Sequence, residues 1–248
     1  MKKLISLLLI AGFCNLVQAE KIKNPLMASD TVVWAGLDYS MVHMIGSDDP
    51  HISYNFITPD FQSHYHFKKM FPEILEKWNQ LFLDEKTDEV SSTIEKQVII
   101  DIGGVTERNK LATTNQIVIT SDTKGITQES SITQQDIVNE VRSYKMENTN
   151  GLGLVFIVDQ LVRRFYEPAD MTHNSVISQM QNDGFGSVYI VFFDVSTKEV
   201  ISVERQIHHV SSAGNFLNFY FGPIKDTAST LGKYRASIRP PASSRKRK

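Results

Sequence analysis

Cysteine is nearly absent from this chain. One occurs in 248 residues, Cys14. It lies inside an apolar run near the start, behind the bulky Phe13, where bacterial lipid attachment needs a small residue. With no second cysteine, no intramolecular disulfide can form and no cysteine-rich metal site is available. The fold must be held by its own core. A strong charge imbalance is also missing. The 26 Lys and Arg against 28 Asp and Glu give a net charge of −2, which argues against nucleic acid as a partner. There is no Asn-x-Ser/Thr sequon, no HExxH, no G-x-S-x-G and no phosphate-binding G-x-G-x-x-G or P-loop lysine. No cofactor is implied.

The first apolar run is what remains to be explained. Lys2 and Lys3 precede an almost unbroken apolar stretch from Leu4 to Phe13, and Val17-Gln18-Ala19 offers residues suited to a signal peptidase. This three-part pattern reads as a secretory signal over 1–19, too short to span a bilayer. An uncleaved anchor is the competing reading. Cleavage would remove Cys14 as well as Lys2 and Lys3, leaving 24 basic residues (26 less 2) against 28 acidic ones, a net charge of −4. No later run is long enough to cross a membrane. The chain is therefore expected to be periplasmic or secreted, with one domain over 20–239 and a basic, disordered tail over 240–248 (PASSRKRK after Pro240).

The mature region reads as α/β, with α+β as the variant. Thr31 to Tyr39 is a strand rich in β-branched and aromatic residues. Residues 46–66 read as a long polar loop. Phe67, Phe71, Ile74, Leu75, Trp78, Leu81 and Phe82 recur at helical spacing and predict a helix ending near Leu83, with Pro72 at its first position. Gln97–Ile102 and Gln116–Thr120 are short strands. Thr133 and Asp136 form a capping-box pair opening a helix whose apolar face is Ile137, Val138, Val141 and Tyr144. Gly151–Val158 is apolar throughout, as in a strand buried on both faces. Asp159–Tyr166 reads as a helical turn and His173–Asn182 as a helix. Ser187–Val195 and Val200–Ile207 form a hairpin across Ser196–Glu199. A last helix is expected over Pro223–Tyr234. The sum is a single mixed sheet with a C-terminal antiparallel hairpin and helices packed on it.

Candidate sites are sparse. His43, Asp48, Asp49, His51, His64 and His66 fall between residues 43 and 66. His and Asp are the ligands a transition metal uses without cysteine, so His51, His64 and His66 are the weak metal candidates against a plain polar loop. His64 and His66 would share a side if extended. Asp38, Asp101, Asp159 and Asp194 stand in or at the ends of expected strands, where α/β proteins collect catalytic groups and where acids also cap turns. His208-His209 precedes Ser211-Ser212, but adjacent strand positions face opposite ways, so one histidine should pack and the other face water. Gly151-x-Gly153 and Gly184-x-Gly186 precede strands and read as tight turns. Phe216, Phe219, Tyr220 and Phe221 can close a core or form a partner surface.

The segments WAGLDYS (34–40), GLGLVF (151–156), VFFD (191–194) and Gly214 with Asn218 and Phe219 resemble a group of uncharacterised exported bacterial proteins. The resemblance implies an envelope or secreted protein with one α/β domain and supplies no functional residues. The leading expectation is a non-enzymatic binding protein whose partner is another cell-envelope or extracellular protein. The alternative is an exported hydrolase or metal-binding protein using Asp and His.

Overall fold

The computed structural model describes residues 24–46, 64–112, 117–119, 127–164, 183–210 and 216–236. The expected signal, His51, the 173–182 helix, Ser211-Ser212 and the basic tail lie outside these.

Among the described residues seven strands form one mixed sheet, as the sequence predicts for an α/β domain. Strand β5 (Leu152–Arg164) is its spine. On one side β5 pairs with two strands in tandem, both parallel to it. Val32–Asp38 of β1 (Thr31–Asp38) lies against Leu152–Ile157, and β2 (His43–Gly46) lies against Gln160–Val162. Outside them sit β3 (Gln97–Ile100) on β1 and β4 (Ile117–Ile119) on β2, again parallel. On its other side β5 pairs antiparallel with β6 (Asp183–Asp194), which forms the predicted hairpin with β7 (Val200–Val210).

Helices cover both faces. The side-chain alternation of the strands divides the core in two. Val32, Trp34, Leu154, Phe156, Ile190 and Phe192 belong to one cluster. It is closed by α1 (His64–Ile94), α4 (Phe216–Ser229) and α5 (Gly232–Ala236). Trp34 stacks on Phe82 of α1 at 5.0 Å between ring centroids and meets Phe156 edge-on at 4.9 Å, geometries that add attraction beyond area burial. Val33, Ala35, Val155, Ile157, Val191 and Phe193 belong to the other cluster, closed by Val105 of α2 (Gly103–Asn109) and by Ile137 and Val141 of α3 (Gln134–Ser143).

Four expectations are corrected. Helix α1 begins at His64 and runs to Ile94, so Pro72 lies within it rather than at its start and residues 64–66 are helical rather than loop. Its apolar face resumes at Val90 and Ile94, both buried, after a polar stretch from Asp84 to Glu89. The expected turn at Asp159 is strand: β5 continues through a bulge there, where the β6 register shifts between Val158 and Gln160. Gly184 and Gly186 lie inside β6 rather than in a turn. A Cβ at Gly186 would stand 2.4 Å from Pro223 Cβ, so glycine here lets α4 approach the sheet closely. Pro223 is internal to α4, which therefore starts earlier than its proline suggests.

Candidate functional site

The break between β1 and β2 organises the polar chemistry of this molecule. β3 pairs with β1 only as far as Trp34, and the Asp101 N–H then donates to the Trp34 carbonyl at 2.9 Å. Beyond that point β1 bulges at Gly36, which has φ +111°, a value glycine adopts without strain. The edge amides past the bulge still need partners. Two buried asparagines supply them. Asn79 of α1 accepts from Leu37 N–H at 2.9 Å through Oδ1 and donates to the Leu37 carbonyl at 3.2 Å through Nδ2. Asn109 of α2 donates to the same carbonyl at 2.8 Å and accepts from Tyr39 N–H at 2.7 Å. The side-chain amides take the place of a neighbouring strand.

Asp38 ends β1 and is fully buried. Its Oδ2 accepts from the Tyr144 hydroxyl at 2.5 Å, and its Oδ1 accepts from Ser40 N–H at 2.7 Å. Burial, and then the negative charge of Glu140, push the carboxyl up to about 6, against the pull of the hydrogen bonds from Tyr144 and Ser40. Glu140 is itself 5 % exposed. It is held by a fork from Arg108, Nε to Oε1 at 2.5 Å and Nη2 to Oε2 at 2.7 Å. Two carboxyl groups thus lie together with one guanidinium, all delivered by the ends of β1, α2 and α3.

Ser40 also lines a groove of about 410 Å³ that opens just past the carboxyl end of β1. Open α/β sheets bind ligands at such strand ends. The apolar lining is Met41, Leu111 and Ile132, and the polar lining is Ser40, His43, Ser131 and Asp136. Leu111 is 58 % exposed. The Nδ1 of His43 is buried and has no hydrogen-bond partner. Thr133, through its N–H and hydroxyl, holds the Asp136 carboxyl below its ordinary range, so the groove carries a negative charge. A second cleft of about 300 Å³ between α1 and α2 includes Glu73, Glu76, Thr106 and Lys110.

The other singled-out acids are each engaged locally. Asp159 accepts from Arg205 Nε at 2.9 Å and Nη2 at 2.7 Å, from Ser187 at 2.6 Å and from Ser130 at 2.9 Å. The same arginine donates to the Gln128 carbonyl at 2.6 Å, fastening the 128–130 segment to the sheet. Asp101 accepts from the backbone and side chain of Asn148. Asp194 caps the hairpin turn by accepting from the N–H groups of Ser196 and Thr197, both at 2.8 Å. The four acids singled out in sequence do not form a paired carboxylate site.

The histidine and aromatic candidates fare differently. His51 lies outside the described residues. His64 and His66 occupy the first turn of α1. The extended pairing expected of them is therefore replaced by helix. Among the described residues no three His, Asp or Glu side chains gather as metal ligands. His208 is half-buried and His209 exposed, as their adjacency on a strand requires. Phe216, Phe219 and Tyr220 fall in the first turns of α4, and Phe221 is buried at 1 % exposure in the core. Phe221 thus belongs to the core cluster with Phe82 of α1 and Phe192 of the sheet.

The residues that build the β1 site were not singled out in sequence, apart from Asp38 and Tyr144. Arg108, Glu140, Asn79 and Asn109 are ordinary helix-surface types; burial identifies Glu140 and the two asparagines, and Arg108 is identified by its fork on Glu140. The capping box of Thr133 and Asp136 located α3, and with it Tyr144, but not the carboxylate beneath. No family model matches the chain, and no curated protein matches it. Among solved structures, a hypothetical protein from Chlamydia trachomatis is similar over 84 % of this chain and 94 % of its own, at 10 % identity and a TM-score of 0.28, a likeness that carries no argument.

Proposed function

We propose that this chain is an exported, non-enzymatic domain that binds another cell-envelope or extracellular protein through the groove past β1. The observation that carries the reading is the groove itself: an exposed Leu111 beside a buried, unpartnered His43 nitrogen and the anionic Asp136. An apolar wall with a few convergent polar groups is the usual composition of a ligand seat. The complementary segment would carry an apolar side chain to cover Leu111, a group that hydrogen-bonds His43 Nδ1, and a positive or N–H donor for Asp136. The buried charges Asp159 and Asp101 and the turn-capping Asp194 are taken up by fold contacts, which favours recognition over catalysis. The basic start and apolar run over 2–13, and the resemblance to exported bacterial proteins, support a place outside the cytoplasm.

The test is affinity capture from the envelope fraction of the source cell, with the full chain and with Leu111→Asp. A partner retained by the wild type should lose about tenfold or more in affinity for Leu111→Asp, with the melting temperature unchanged because Leu111 is exposed. Equal retention of every captured protein would overturn the groove as the interface. Turnover of ester, glycoside or peptide substrates that disappears in His43→Ala would overturn the non-enzymatic reading.

A further inference from the structure

We propose that the cleft between α1 and α2 is a second binding site, for a small organic ammonium ion that also carries a hydroxyl or carbonyl oxygen. It shares no lining residue with the groove past β1, and its reading does not depend on that groove.

Topology places the cleft. β1 and β3 are neighbouring parallel strands. The helix that follows β1 and β2 is α1, which closes the Trp34 side of the sheet through Leu75 and Trp78. The helix that follows β3 is α2, which contributes Val105 to the opposite side. The two helices therefore part at the carboxyl ends of β1 and β3. Open α/β sheets seat ligands in the crevice made where the chain leaves adjacent strands toward opposite faces. β3 pairs with β1 only as far as Ile100 opposite Trp34, and among the described residues no strand fills the space beside the β1 bulge. The cleft there holds about 300 Å³, enough for a small molecule.

The lining states what fits. Its buried part is Asn79 and Asn109, 6 % and 9 % exposed. Each Nδ2 carries two N–H groups, and each uses one on the Leu37 carbonyl. The second N–H of each has no partner among the described residues, so a buried donor on each asparagine awaits an oxygen. The outer part is anionic. Glu73 and Glu76 stand three apart on α1 and share a face. Both are exposed, and neither meets a cation among the described residues. Lys110 also lines the cleft, but it donates to Glu107, which does not. Gln80 is likewise engaged, donating to Asp84 at 2.8 Å. Half-buried Ile102 offers a short apolar contact for a carbon frame. A bare metal ion would leave the asparagine N–H groups facing a cation. An ammonium for the glutamates and an oxygen for the asparagines satisfies both parts.

The test is a titration of the uniformly labelled full chain, read by backbone amide and side-chain NH2 NMR signals. The probes are two matched pairs, glucosamine against glucose and aminobutanol against butanediol. At least one ammonium probe should shift the side-chain signals of Asn79 and Asn109 and the Thr106 amide. It should bind about tenfold more tightly than its neutral counterpart, and added salt should shrink that preference. Glu73→Gln combined with Glu76→Gln should abolish it with the melting temperature unchanged, because both residues are exposed. Silence with all four probes, shifts confined to Met41 and Leu111, equal affinity for charged and neutral partners, or a preference that survives the double variant would each overturn the proposal. Leu111→Asp should leave the titration unaltered, so the outcome here and the outcome of the capture experiment are read independently.

Discussion

Asp159 illustrates how a residue singled out for chemistry can serve the fold. It stands as the bulged residue of the central strand, without solvent exposure, and receives a bifurcated donation from Arg205 with two serines. A buried ion pair of this kind adds little net stability when intact, but removing one partner strands the other charge. Arg205→Ala should therefore cost about 3–5 kcal/mol in urea unfolding. The double variant Asp159→Val with Arg205→Met should cost less than the single change, because it leaves no orphan. An additive double-variant loss would refute the pairing. The acid was legible in sequence as a polar residue ending an apolar run. Its partners were not, because Ser130, Ser187 and Arg205 come from a loop and two other strands and share no spacing with it. Phe221 was ambiguous for a related reason. Its type fits a core or an interface equally, and only the helix phase of α4 decides for the core.

At the scale of elements, local rules held where the local signal was complete. The Thr133 and Asp136 capping box was readable at once and is present in both directions, Asp136 N–H to Thr133 Oγ1 at 3.2 Å and Thr133 N–H to Asp136 Oδ2 at 2.8 Å. Thr133→Ala should destabilise the protein by about 1 kcal/mol. Thermal unfolding would measure it, and a loss near zero would mean that α3 is held by packing alone. The hairpin of β6 and β7 was equally plain. Failures cluster where tertiary contacts override sequence pattern. The polar stretch Asp84–Glu89 hides the continuation of α1, since six polar residues interrupt the apolar count before Val90 and Ile94 resume it. β5 outruns its apolar core because Asp159 and Gln160 are paired from elsewhere in the chain. β2 has no sequence signature, being four residues that become a strand only because the second half of β5 offers them an edge.

For the whole molecule, the balance of buried and capped acids sets a stability optimum. Asp38 has its folded value raised from 3.8 to about 6. Its contribution is fully present below the unfolded value and is lost as pH rises through about 6, a swing of about 3 kcal/mol. Asp194 and Glu204 are shifted the other way. The hydroxyl of Ser196 and the turn N–H groups hold Asp194 down, and Lys233 and Tyr234 outweigh burial at Glu204. Their contributions are present above the ordinary carboxylate range and lost as pH falls. The melting temperature should therefore peak between about pH 4 and 6, and Asp38→Asn should flatten the alkaline side of that peak. A wild-type curve flat from pH 5 to 8 would contradict the buried state of Asp38. The tandem arrangement along β5 has a further consequence for synthesis. Val32 must wait for Leu152, and Met44 for Leu161, before either first strand gains its central neighbour. A nascent chain ending at Asn150 has no spine on which to assemble its parallel strands, so sheet closure is deferred until the second half has been made. Until then β1 and β2 lack the strand that joins them into one sheet, a consequence built into strand order rather than into any one residue.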